Sequence, residues 1–329
     1  MKLSIRASLV AAAASALVLT ACGSPSSGAA GGDGPTVTAA FYPLQWATER
    51  VLGDTAGSVE VLTKPGGEAH GLELTPRQIA SLTESDLVVY LDKFQPEVDS
   101  AVAQTGTERA LDVADVITLA PIAEAHAHDE HAEDEHVEDE HAEEDAHAEE
   151  DAHDHGDFDP HFWLDPERMG TVVEAIAERL AEVDAEHAET YRANAAAAVA
   201  ELEALDQEYR DGLAECQRRE FITTHAAFQY LADRYDLEEI GISGINPDGE
   251  PSPARIAEVH EEAERHGVTT IFFETLTSDA VARSIAGDLG LKTAVLDPLE
   301  GVTDDSPGED YPSIMRANLE ALRSANECN

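Results

Sequence analysis

Residues 185–214 read AEHAETYRANAAAAVAELEALDQEYRDGLA, and this stretch decides how the rest of the chain is organised. Tyr191, Ala195, Ala198, Leu202, Leu205, Tyr209 and Leu213 recur every three or four residues, which places one apolar stripe along a continuous helix. About 30 residues at 1.5 Å each span roughly 45 Å, more than a single small lobe needs. Upstream, strand patterns at 37–41, 59–62 and 87–91 alternate with helical ones at 44–52 and from Thr75-Pro76 onward, where Thr caps and Pro opens a helix. A further helix starts at Asp165-Pro166 and carries Met169, Val172, Val173, Ile176, Leu180 and Val183 at helical spacing. Downstream the alternation resumes, with strands at 221–223, 270–273 and 293–296 and helices at 226–235, 253–266, 279–289 and 312–326. Alternating strands and helices make parallel sheets covered by helices. The expected fold is therefore α/β: two lobes, each a mostly parallel sheet flanked by helices, joined by a single long linking helix. The expected boundaries are 36–183, 184–215 and 216–329.

The 329 residues carry 68 acids against 20 basic residues, a formal charge of -48, with 43% hydrophobic residues. The hydrophobic share supports real cores, and the charge excludes nucleic acid as a partner, because phosphate binding needs clustered Lys and Arg. A divalent cation suits this balance better.

Lys2 and Arg6 precede an apolar run at 9–19 that is too short to span a membrane, followed by Leu19-Thr20-Ala21-Cys22. This resembles a bacterial lipoprotein signal (residues 1–21), with Cys22 as the lipidated residue; an ordinary secretory signal is the alternative. Residues 22–35 are rich in Gly, Ser and Pro and read as a flexible tether. The expected address is extracytoplasmic, lipid-anchored on the outer face of the cell membrane. The remaining cysteines, Cys216 and Cys328, pair as one disulfide in an exported protein or stand as two free thiols.

Residues 124–159 hold 18 carboxylates and eight histidines, with pentads DEHAE, DEHVE and DEHAE repeating from Asp129. No core can be built from them, so they read as a disordered loop. Its histidines are His126, His128, His131, His136, His141, His147, His153 and His155. A helical spacing of five would turn each by about 140° from the last, so no face gathers a tetrahedral site. They are expected to form a weak accessory scavenger or sensor; a solubilising loop or an independent structural site are the alternatives.

Outside the loop, His187, His260 and His266 lie on charged helical faces and read as solvated. His70 follows the Pro65-Gly66-Gly67 turn, His161 sits in Asp159-Pro160-His161, His225 follows the strand at 221–223, and Asp297 follows the strand at 293–296. Ligands of open α/β sheets bind beyond the carboxyl ends of strands, so these four form a candidate metal site. Glu274 is a candidate acceptor for a histidine N–H, or else a solvated strand-end carboxylate, and Glu68 is a further candidate.

The segments PGGEAHGLELTP, FDPHFWLDP, THAAFQYLADRY and VLDPLEG resemble the zinc and manganese solute-binding proteins of bacterial ABC importers, the ZnuA/AdcA/TroA-type family. The resemblance covers nearly the whole mature chain. It implies a metal held between two lobes, by His70 and His161 from the first and His225 and Asp297 from the second. It also implies a monomeric, non-enzymatic receptor that passes Zn²⁺ to a membrane permease. His225 favours zinc, because manganese members tend to carry Glu there; the residue before His70 is Ala69, where some zinc members have an acid. The alternatives are a manganese receptor of the same fold, a zinc hydrolase and a histidine-rich metal buffer. The run HAEDEH does not match the HExxH spacing of zinc proteases.

Overall fold

In the computed structural model, residues 34–122 and 158–329 are described. The signal segment, Cys22, the tether up to residue 33 and all eight loop histidines lie outside the described residues.

The first sheet is built from β1 (Thr36–Ala39), β2 (Ser58–Val61), β3 (Leu87–Tyr90) and β4 (Ala110–Asp112). The second is built from β5 (Glu220–Thr223), β6 (Glu238–Gly241), β7 (Thr270–Phe273) and β8 (Lys292–Val295). The orders are β2-β1-β3-β4 and β6-β5-β7-β8, and every pairing is parallel. The two sheets therefore repeat one topology. Strand order reverses beside β1 and β5, and the carboxyl ends of these strands are where such sheets open a crevice.

The helices are α1 (Tyr42–Leu52), α2 (Pro76–Glu84), α3 (Pro96–Thr105), α4 (Pro166–Val183), α5 (Ala188–Leu213), α6 (Gln229–Tyr235), α7 (Pro253–His266), α8 (Ala280–Leu289) and α9 (Tyr311–Asn326). Their ends follow local chemistry. Thr75 and Gln78 form a reciprocal capping box before α2, and Asp310 with Ser313 does the same before α9. Asp165 accepts from the N–H groups of Glu167 and Arg168 to start α4.

The residues buried along α5 are Tyr191, Ala195, Ala198, Leu202, Leu205, Tyr209 and Leu213, the stripe read from the sequence. The helix starts at Ala188, later than its apolar pattern implied. Asp184 accepts from both His187 Nδ1 (2.7 Å) and the Tyr191 hydroxyl (2.7 Å), and this side-chain network supports a turn in place of helix. Near its start α5 is tied to α1, through Asn194 Nδ2 donating to the Val51 carbonyl (2.9 Å). Near its end it is tied to α9, through the Tyr209 hydroxyl donating to the Met315 carbonyl (2.6 Å). The same Tyr209 ring stacks on Tyr235 of α6, with centroids 4.9 Å apart. One contiguous apolar core runs through both halves, and a smaller one around Ile222, Ile240, Val259 and Ile271 lies in the second.

The elements β4, β6 and α3 have no counterpart in the sequence reading. Strands β4 and β6 are short and half polar, and they are completed by pairing with β3 and β5. Cys216 and Cys328 are joined by a disulfide, which fastens the entry of the second half to the end of α9.

Candidate metal centre

Four segments deliver side chains to one buried point. Lys64-Pro65-Gly66-Gly67 forms a tight turn, with Gly66 at φ +71° and the Gly67 N–H donating to the Lys64 carbonyl (2.8 Å). Beyond it, the Glu68 carboxylate accepts from the backbone N–H of His70 (2.6 Å) and of Gly71 (3.0 Å), folding the chain so that His70 points inward. Gln95 Nε2 donates to the Ala69 carbonyl (2.8 Å), and Phe94 meets the His70 ring edge-on at 4.8 Å.

His161 is held by the residue two before it. Asp159 Oδ1 accepts from both the His161 backbone N–H (2.9 Å) and its Nδ1 (2.7 Å), which leaves Nε2 facing the centre. Trp163 lies against the ring at 5.2 Å. His225 leaves the end of β5, and its Nδ1 hydrogen-bonds Glu274 Oε1 (2.9 Å) at the end of β7. Glu274 also accepts from the Thr277 hydroxyl (3.0 Å).

The fourth arm is Glu300, which the sequence reading did not name. Its Oε1 lies 3.3 Å from His70 Nε2, 3.3 Å from His161 Nε2 and 3.4 Å from His225 Nε2. His70 Nε2 and His161 Nε2 are themselves 3.3 Å apart. All four residues are buried, and one donor atom from each lies within 4.8 Å of the others. A tetrahedron with metal–ligand distances near 2.0–2.1 Å has edges of about 3.4 Å. Four edges of this cluster have that length. His225 Nε2 is buried without a hydrogen-bond partner, and the polar atom it faces is Glu300 Oε1, so a shared cation would satisfy both. Three imidazoles and one carboxylate therefore fit a closed tetrahedral ion.

Asp297 stands outside this group of four, and the reason lies in the turn it builds. Its Oδ1 accepts from the Leu299 N–H (2.8 Å) and its Oδ2 from the Thr275 hydroxyl (3.0 Å). Its backbone is gripped by Asn318, which accepts from the Asp297 N–H (2.9 Å) and donates to its carbonyl (2.7 Å). Leu299 is forced to φ +64°, a conformation that costs a non-glycine residue roughly 1–3 kcal/mol. Trp163 Nε1 fixes the Pro298 carbonyl (2.7 Å). The outcome of this turn is that Glu300, three residues on, is aimed at the histidines. The signal in Asp297-Pro298-Leu299-Glu300 was an Asp before Pro, a residue pair that builds turns and presents the side chains just beyond it.

Charge is arranged to favour a cation. Burial works against ionising Glu300, but His70, His161 and His225 outweigh it and hold its carboxyl well below the usual range. Burial likewise opposes charge on His161, yet Asp159 and Glu300 push it up to about 9. His225 is raised well above its ordinary value against burial, by Glu274 and Glu300. His70 is lowered, because burial dominates there. Burial and the neighbouring Glu300 push Glu68 up to about 8. Burial raises Asp297 to about 6. Without metal, protons on His161 and His225 stand where a divalent ion's charge would otherwise sit.

Two of the remaining histidines, His187 and His266, are partly buried and pair with carboxylates, His187 with Asp184 and His266 with Glu220 and Glu262. Neither approaches the cluster.

The chain matches the family described as "Zinc-uptake complex component A periplasmic" over residues 37–325. It belongs to the ZnuA family. The high-affinity zinc uptake system protein ZnuA of Bacillus subtilis is 34% identical over 322 residues, covering 95% of each chain. The zinc-binding protein AdcA of Streptococcus pyogenes is 37% identical over 293 residues, covering 87% of this chain. The chain spans only 55% of that longer relative's length. The Zn(II)-bound ZnuA-like domain of Streptococcus pneumoniae AdcA superposes with a TM-score of 0.70 at 31% identity, covering 89% of this chain and 99% of that one. The ZnuA-family fold thus accounts for the two repeated sheets and the helix between them. Among the described residues, no helix is long and apolar enough to cross a membrane.

Proposed function

We propose that this ZnuA-family chain is an extracytoplasmic receptor that captures Zn²⁺ between His70, His161, His225 and Glu300 and passes it to an ABC permease. The observation that carries this reading is the convergence of three imidazole nitrogens and one carboxylate oxygen at tetrahedral spacing in a buried centre. Imidazole-rich sets suit zinc, whereas manganese prefers more oxygen ligands. Four protein donors close the tetrahedron and leave no position for a reacting water, so the set suits a carrier better than a catalyst. The relatives named for zinc binding, one of them a lipoprotein of Streptococcus pneumoniae, support the same reading. Cys22 would supply the lipid anchor, the mature chain would act as a monomer of two lobes about the linking helix, and the eight loop histidines would gather metal weakly.

Competition titration of the metal-free protein tests the proposal. One tight equivalent of Zn²⁺ is expected, resistant to excess Mn²⁺, and surviving deletion of residues 125–155. Displacement of zinc by manganese would sink the assignment of cargo.

A further inference from the structure

His161 is steadied from across the molecule as well as from its own loop. Tyr230 lies in α6, in the second half, five residues after His225, and its side chain is 2% exposed. Its hydroxyl accepts from the Ala120 N–H (2.8 Å) and donates to the Asp159 carbonyl (2.7 Å). The Asp159 N–H donates in turn to the Ala120 carbonyl (2.9 Å), so one phenol closes a ring of three hydrogen bonds. Asp159 is the residue whose carboxylate holds both the backbone and Nδ1 of His161. Burial raises the Tyr230 phenol far above neutral pH, so it keeps its proton and remains a donor.

The link to His225 is equally short. Between the two, the Ala226 N–H donates to the Gly244 carbonyl (3.0 Å) and the Phe228 N–H to Glu239 Oε2 (2.9 Å), which pins the intervening backbone. Arg168 lies over the Tyr230 ring at 5.0 Å and holds the Thr118 carbonyl. Gln229 Nε2 donates to the Pro121 carbonyl (3.1 Å) beside it.

We propose that Tyr230 is a positioning residue for cation capture: it ties the backbone of Asp159 to the segment carrying His225, so that ligands from the two halves keep one register. This rests on the zinc-binding reading above. A hydroxyl that fixes the partner of a ligand acts on how long the ligand set stays assembled, so its removal is expected to appear mainly in the rate of metal release. Supporting partners of ligands typically change affinity by about 10–100-fold, and one step further out about tenfold is expected.

The test compares Tyr230→Phe with Tyr209→Phe, which also deletes one buried hydroxyl, bonded to the Met315 carbonyl and to none of the residues that hold the four clustered side chains. Urea unfolding of both variants measures their loss of stability. Zinc release to a chelator and the visible spectrum of the Co²⁺-loaded protein then read the site. Release about tenfold faster with an altered cobalt spectrum for Tyr230→Phe, and neither change for Tyr209→Phe, is the expected result. Unchanged release from Tyr230→Phe, or equal changes in both variants, would overturn the positioning role. Failure of the wild-type protein to take up zinc at all would instead remove the reading on which it rests.

Discussion

The two sheets share one topology but finish their central strands differently. Two residues beyond β1 stands Phe41; two residues beyond β5 stands His225. Phe41 is fully buried and packs on Phe94 (5.0 Å) and Trp163 (5.1 Å), the rings that back His70 and His161. His225 instead faces carboxylates, Glu274 on one nitrogen and Glu300 towards the other. The first half thus steadies its ligands with an aromatic wall, helped by Glu68 and Asp159 within its own loops. The second half contributes charge, from Glu274 and His225 just beyond the ends of β7 and β5 and from Glu300 on the turn that follows β8. Equivalent positions in a repeated fold have been divided between rigidity and chemistry.

The sharpest way to break this comparison is to empty both positions. Phe41→Ala should cost about 4 kcal/mol of stability, as large-to-small changes of a buried aromatic do, measured by urea unfolding. His225→Ala should leave most of that stability in place but weaken zinc by at least about 100-fold in a chelator competition, above the effect of losing a supporting partner. If Phe41→Ala lowered affinity as much as His225→Ala at a concentration where both are folded, the division of labour would be wrong.

A second test uses protons. His161, raised to about 9, and His225, also raised, are protonated in the metal-free site at neutral pH and must lose those protons to bind. Zinc affinity should therefore fall with decreasing pH below about 9, by about tenfold per unit for each proton released. Calorimetry in buffers of different ionisation enthalpy counts the protons. The metal-free protein should behave oppositely. A raised histidine contributes stability that is complete below its unfolded value near 6.5 and is lost as pH rises through about 9. Affinity independent of pH between 6 and 9 would contradict the charge arrangement.

The smallest effect is expected from Asp297→Ala. It removes the turn that aims Glu300 while leaving all four clustered side chains intact, so zinc should weaken by about tenfold. An effect as large as that of Glu300→Ala would mean that Asp297 touches the ion.

Much of this was legible in the residues. The long helix announced itself because its apolar stripe is buried over its whole length, and His70, His161 and His225 because each follows a strand or turn. Strands such as β6 were not legible, since Glu238-Glu239-Ile240-Gly241 becomes a strand only by pairing with β5. Asp297 is the acid the sequence points to, and Glu300 is missed, for a related reason. Both are buried acids beyond β8, and only the three-dimensional turn, with Leu299 in a left-handed conformation, decides which one reaches the centre.

The bond between Cys216 and Cys328 has a consequence for metal traffic as well as for folding. Thiolates are soft donors with a strong appetite for zinc. As free thiols, Cys216 and Cys328 would be two such donors outside the histidine cluster. Joined in the disulfide they are no longer thiolates, and both are withdrawn from coordination. The disulfide thus takes two soft donors out of a chain whose buried donor cluster is made of imidazole and carboxylate alone.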